Sequence, residues 1–232
     1  MRIASSPKRG AGEKAGIDVR TIVASARTLS PDAMTMQAVA QLLGVDRSAL
    51  NHHVKGRPQL LQLVAQAAFA DGFADVVFRD DEDWRSASRM YAWAYAQALG
   101  AAGPLVRHLT DVGQETRFLR ATEALLGRLV AGGFNDEAAV RFLVALGYAA
   151  RGWMRDRIET TEGLEMRRPE QTQTALGARG HDAFPHLDRV SRNPFDTYGV
   201  SQLNHVLDLL IKGADAELAS GAASAGADDS GD

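Results

Sequence analysis

The chain has 232 residues, enough for one large domain or two small ones, and its 45% hydrophobic and 24% charged content excludes collagen-like, low-complexity and wholly disordered classes. With no cysteine, it has no disulfide framework, thiolate metal site, iron–sulfur cluster or cysteine nucleophile. The net charge of −3 conceals an asymmetry: residues 1–58 carry nine Lys/Arg against four Asp/Glu, whereas the rest carries seventeen against twenty-five, so a basic module of the kind that meets a polyanion precedes an acidic body.

Residues 1–16, rich in Gly, Ser, Lys and Ala, lack periodicity and read as a flexible basic arm. The arm has no apolar stretch of signal-peptide length and no later segment is apolar enough to span a bilayer, so the chain reads as cytoplasmic. Apolar residues then recur at helical spacing and no stretch alternates as a strand would, which predicts an all-α protein. Asp18 is placed to cap a helix with Val19, Ile22, Val23, Ala26 and Leu29 on one face, stopped by Ser30-Pro31-Asp32. Thr35 caps a second, short helix closed by Gly44. Asp46 is placed to cap a third, from Arg47 to His53, and Pro58 stands in the first turn of a longer fourth. Beyond Asp80-Asp81-Glu82-Asp83, whose acids suit a helix N-terminus better than a metal, helices are expected at about 84–100, 104–112, 115–131, 136–158 and 199–213. Residues 160–198, with Pro169, Pro185 and Pro194, read as a long loop or a short broken helix between loops.

Residues 35–64 carry the functional signal. Two short helices around Gly44-Val45-Asp46 follow helix-turn-helix grammar, with Ala40 where the helices approach closely and Val45 and Leu50 plugging the angle between them. The exposed face of the second would present Arg47, Ser48, Asn51 and His52, groups that hydrogen-bond base edges or phosphates. The wording Thr35, Ala40, Leu43-Gly44-Val45, Leu50-Asn51-His52-His53-Val54-Lys55 and Leu60-Leu61 closely resembles the amino-terminal domain of the TetR family of transcriptional regulators. Weaker echoes of that family's tetracycline-repressor-like carboxy-terminal domain are Asp83-Trp84-Arg85, Gly132-Gly133-Phe134-Asn135 and Phe195-Asp196-Thr197-Tyr198-Gly199. The resemblance implies a three-helix DNA-binding domain over residues 17–66, with a connecting helix to about 78. A helical-bundle ligand-binding and dimerisation domain over 79–213 and a disordered acidic tail over 214–232 complete the expected organisation. It further implies that Arg47, Ser48, Ala49 and His52 face the major groove while Thr35, His53, Lys55 and Arg57 hold phosphates. Asn51 departs from the family's usual aromatic residue, and its amide suits a backbone or adenine contact.

The implied function is a ligand-responsive repressor, a homodimer on a pseudo-palindromic double-stranded operator. The alternative is an all-helical binding protein or enzyme without a DNA role. No phosphate cradle, nucleophile elbow, zincin motif or di-iron motif points to catalysis, and neither cofactor nor metal is expected; His52 and His53, adjacent on a helix, do not converge on an ion. The small residues Ala145, Gly147, Ala149, Ala150 and Gly152, with Val206, Leu207, Leu210 and Ile211 on the last helix, suggest a four-helix dimer interface. The aromatic residues Tyr91, Tyr95, Phe118, Tyr148 and Trp153, with His108 and Arg151 as polar anchors, are the candidate wall for an apolar or aromatic small-molecule effector.

Overall fold

The computed structural model describes residues 17–73, 76–109, 116–161, 168–179, 183–193 and 195–228. The predicted basic arm lies outside them. The described residues form helices and turns without strands, and no helix among them is long and apolar enough to cross a membrane. The chain divides into two compact units between Ala67 and Ala68.

The first unit is built on α1 (Val19–Ala26), α2 (Met36–Leu43), α3 (Arg47–Asn51) and the first part of α4 (Arg57–Gly72). Short helices are marginal alone, so each end must be satisfied locally and each apolar face buried. Asp18 Oδ1 accepts the Thr21 amide at 2.7 Å and Thr35 Oγ1 accepts that of Ala38 at 3.1 Å. The Thr21 N–H first of all holds the Asp18 carboxyl below the usual carboxylate range. Gly44, at φ 65°, closes α2 in a left-handed turn in which its own amide reaches Gln41 O and the Val45 amide reaches Ala40 O, the paired bonds of a Schellman motif. Asp46 stands at the start of α3 but its side chain makes no capping bond, contrary to expectation. α3 also ends two residues early: the Val54 amide turns back to Leu50 O at 2.8 Å, which places Val54 in the core beside the equally buried Leu50.

The second unit holds α5 (Trp84–Ala102), a 3-10 turn (Gly103–His108), α6 (Thr116–Ala131), α7 (Asp136–Thr161), α8 (Arg168–Arg179), α9 (Pro185–Ser191) and α10 (Val200–Asp228). α7 packs chiefly on α5 and also on α10 and α6. Alanines 87, 92 and 96 are fully buried on α5, as are Leu146 and Ala150 on α7, so small side chains permit that close packing. The two glycines after α6 do separate work. Gly133 takes φ 100°, whereas a Cβ on Gly132 would come within 2.4 Å of Trp84 Cδ1. The Trp84 ring needs that space because it also meets Phe134 and Phe142 edge-on, at 5.0 and 5.7 Å. Asp83 Oδ1 and Asn135 Oδ1 cap α5 and α7.

Four expectations are corrected. The segment after α5, expected as a helix over 104–112, is a 3-10 turn over Gly103–His108, set off from α5 by Gly103 at φ 51°; residues 110–112 of that expected helix lie outside the described residues. The connecting helix stops at Gly72, short of 78, where the chain turns to bury Phe73 and Phe78. Within 160–198 stand two helices, α8 and α9, packed on each other with Gln173 Nε2 bonded to Ser191 Oγ. The last helix runs past Gly213 to Asp228 instead of giving way to a disordered tail. Its alanines favour helix, Ala214 is buried, and Asp215 pairs with Arg85 of α5.

Candidate nucleic-acid interface and effector cavity

In the first unit, burial of Leu50 turns the opposite face of α3 to solvent. Arg47, Ser48, Asn51 and His52 are exposed there, with Ala49 half-buried, and His53 and Lys55 exposed just beyond. No acidic residue occurs between Arg47 and Ala70, so no carboxylate in that stretch offsets the positive charge. The Lys55 amide donates to Gln59 Oε1 at 2.6 Å, fixing the turn into α4 and leaving the ammonium on the surface. Thr35 spends its oxygen lone pair on the Ala38 amide and keeps its own hydrogen to donate.

Arg57 differs from its expected place on phosphate. Its Nε donates to Met34 O at 2.8 Å and its Nη2 to Pro31 O at 3.1 Å, so the guanidinium ties the α1–α2 turn to the start of α4. The turn leaves those carbonyls outside any helical ladder, and a planar fork reaches two of them at once.

In the second unit a cavity of about 270 Å³ opens between α5, α6 and α7. Five predicted effector residues line it: Tyr91, Tyr95, Phe118, Tyr148 and Arg151. The other two stand elsewhere. His108 lies on the 3-10 turn, where its Nε2 accepts from Arg107 Nε at 3.4 Å. Trp153 packs edge-on to Trp93 at 5.2 Å, donates to Gly199 O at 3.0 Å and borders a separate groove between α7 and α10. Sequence reasoning missed Thr122, Leu143, Val144 and Gly147. The signal was available, because residues 143, 147 and 151 are i, i+4 neighbours on the helix face that presents Arg151.

Polar groups are few and paired. Tyr91 Oη and Thr122 Oγ1 lie 2.9 Å apart, and Arg151 Nη2 donates to Tyr95 Oη at 2.7 Å. Burial, the main influence, pushes the Tyr91 phenol up to about 12. The rings are tied to α4. Phe69 meets Tyr95 at 5.5 Å and Phe118 at 5.9 Å, while Phe73 meets Tyr91 at 5.6 Å and Phe118 at 5.4 Å. α4, which carries Phe69 and ends one residue before Phe73, begins at Arg57 on the other side of the division of the chain.

The proposed dimer surfaces divide into two groups. Ala150, Leu207 and Ile211 are buried within the chain, because α5, α7 and α10 pack on one another. On the flanks of α7 and α10 Val140 and Leu209 are exposed instead, as are Val144 and Tyr148 at the edge of the cavity.

No family model matches the chain. Two tetracycline repressors of Escherichia coli are similar to it: the class C protein at 26% identity over 157 residues, 68% of this chain and 72% of that one, and the class A protein from transposon 1721 at 31% over 121 residues, 52% and 56% respectively. The fold is shared with the Streptomyces coelicolor TetR family protein ActR in complex with (S)-DNPA, at 21% identity and a TM-score of 0.70 over 88% of this chain and all of that one. It is also shared with TetR from Acinetobacter baumannii AYE, at 22% identity and a TM-score of 0.58 over 87% and 98%. The capped helix-turn-helix of the first unit, the aromatic bundle of the second and this similarity to two repressors lead to one conclusion: the chain is similar to the tetracycline repressors and has the fold of TetR family transcriptional regulators.

Proposed function

We propose that the protein is a homodimeric repressor that holds a pseudo-palindromic operator through α2, α3 and the turn after α3, and releases it when a small molecule enters the α5–α6–α7 cavity. The carrying observation is α3 itself: five residues held rigid by a buried Leu50 and by the Gly44 turn, with every long polar side chain outward. In this reading Arg47, Ser48, Asn51 and His52 meet base edges, and Ala49 meets a thymine methyl. Thr35, His53 and Lys55 meet phosphates. The similar repressors, and the ActR structure with actinorhodin bound, support regulation by a small molecule.

A second copy would pair through the exposed flanks of α7 and α10, so that two α3 helices meet successive major grooves about 34 to 36 Å apart. Ligand that separates Tyr91, Tyr95 and Phe118 must repack Phe69 and Phe73, and so bias α4. If the conformation favoured by ligand misplaces the α3 pair, linkage requires that DNA in turn weakens ligand binding.

Selection of bound fragments from random DNA tests this reading and should return an inverted repeat. On that site Arg47→Ala should cost about 1 to 3 kcal/mol per half-site and relax preference at one position, with random DNA affected less. Fragments without symmetry, or affinity indifferent to Arg47, would remove α3 as the reading element.

A further inference from the structure

The effector cavity has an electrostatic sign. Apart from Arg151, the residues that line it are neutral, and none is acidic. The positions on α7 where a carboxylate would neutralise a helical arginine, three and four residues to either side, are Gly147, Tyr148, Met154 and Arg155. Arg151 spends one N–H on Tyr95 Oη, which leaves the phenolic hydrogen of Tyr95 free to donate, polarised by the cation behind it. A guanidinium and a phenol O–H thus stand together beside the aromatic walls of Tyr91 and Phe118.

Resting on the reading of this cavity as the effector site, we propose that the effector is a planar aromatic molecule bearing an anionic oxygen group, a carboxylate or ionised phenol, seated against Arg151 and the Tyr95 hydroxyl. Aromatic walls alone would suit a cation as well as a neutral ring. Arg151, exposed on the same wall, decides against the cation, since like charges repel while an oxyanion gains charge-assisted hydrogen bonds from the guanidinium. Tyr91 does not oppose the anion, because burial keeps its phenol protonated. The cavity, about 270 Å³, sits just under the usual range for small-molecule sites and fits a ligand of about two fused rings.

Three probes on one frame test the sign: 2-naphthoate, 2-naphthamide and 2-naphthylmethylammonium, titrated calorimetrically into the full chain and into Arg151→Gln and Gly147→Leu. Circular dichroism verifies that each variant is folded. Gly147 lines the cavity, a Cβ there would meet nothing within 4 Å, and a leucine side chain would grow into the ligand's space. The naphthoate should bind about tenfold or more tighter than the amide, with the ammonium weakest, and Arg151→Gln should bring naphthoate and amide within about threefold. Gly147→Leu should weaken both. Equal or tighter binding of the amide or ammonium to the parent chain overturns the proposal, as does a naphthoate preference that survives Arg151→Gln. Should no probe bind, or should Gly147→Leu leave binding intact, the cavity itself is not the aromatic site and the effector reading falls with it.

Discussion

Arg57→Ala separates two roles that one residue could play. The change deletes two hydrogen bonds from a charged donor, to Met34 O at 2.8 Å and to Pro31 O at 3.1 Å. Bonds of this kind contribute about 1.5 to 3 kcal/mol each when well buried. Here one is part-buried and the other exposed, and both carbonyls regain water, so a total loss of about 1 to 3 kcal/mol is expected for the first unit. For a unit of fewer than 70 residues that corresponds to a fall of roughly 5 to 15 °C in its melting midpoint, read by circular dichroism. Arg57→Lys should recover only part, since an ammonium cannot bridge both carbonyls as a fork does. Below the melting range, the slope of log affinity against log salt on operator DNA should stay unchanged. A phosphate contact would add about −0.9 per subunit, so an anchoring role predicts a slope shallower by roughly two for the dimer. An unshifted midpoint with a shallower slope would refute the structural role and return Arg57 to the phosphates.

Two further outcomes follow from the second unit. Leu209→Glu, at an exposed position beside the α7–α10 groove, should convert the proposed dimer to monomer in sedimentation with little change in monomer helicity; Ala150→Glu, at a fully buried position, should instead unfold the unit. An unchanged Leu209→Glu dimer would move the interface elsewhere. Gly132→Ala should lower thermal stability by about 1 to 3 kcal/mol, because its Cβ meets the rigid Trp84 ring at 2.4 Å; an unchanged midpoint would show that Trp84 shifts freely.

Local chemistry was sufficient for α1, α2, α5, α6 and α7 and for most of their caps. Asp18, Thr35 and Asn135 announce their roles because a short polar side chain before an apolar-periodic run can bond the orphan amides that follow, and Gly44 announces a left-handed stop for an equally local reason. The outward face of α3 was legible likewise, since burial of Leu50 forces the positions opposite it into water. What depended on partners distant in sequence could not be read in this way. Arg57 looks like a phosphate ligand by its neighbours along the chain, yet the carbonyls it satisfies lie 23 and 26 residues away. Among the aromatic residues of the second unit, periodicity cannot say which ring faces a void and which faces another ring. The crossing of α5, α6 and α7 placed Tyr95 and Arg151 on the cavity, and the packing of α7 beside α10 took Trp153 to a separate groove. Helix phase follows from the order of side chains along one chain segment; which face meets which is set only when the helices pack, because that choice depends on the shapes and charges of surfaces the linear order does not bring together.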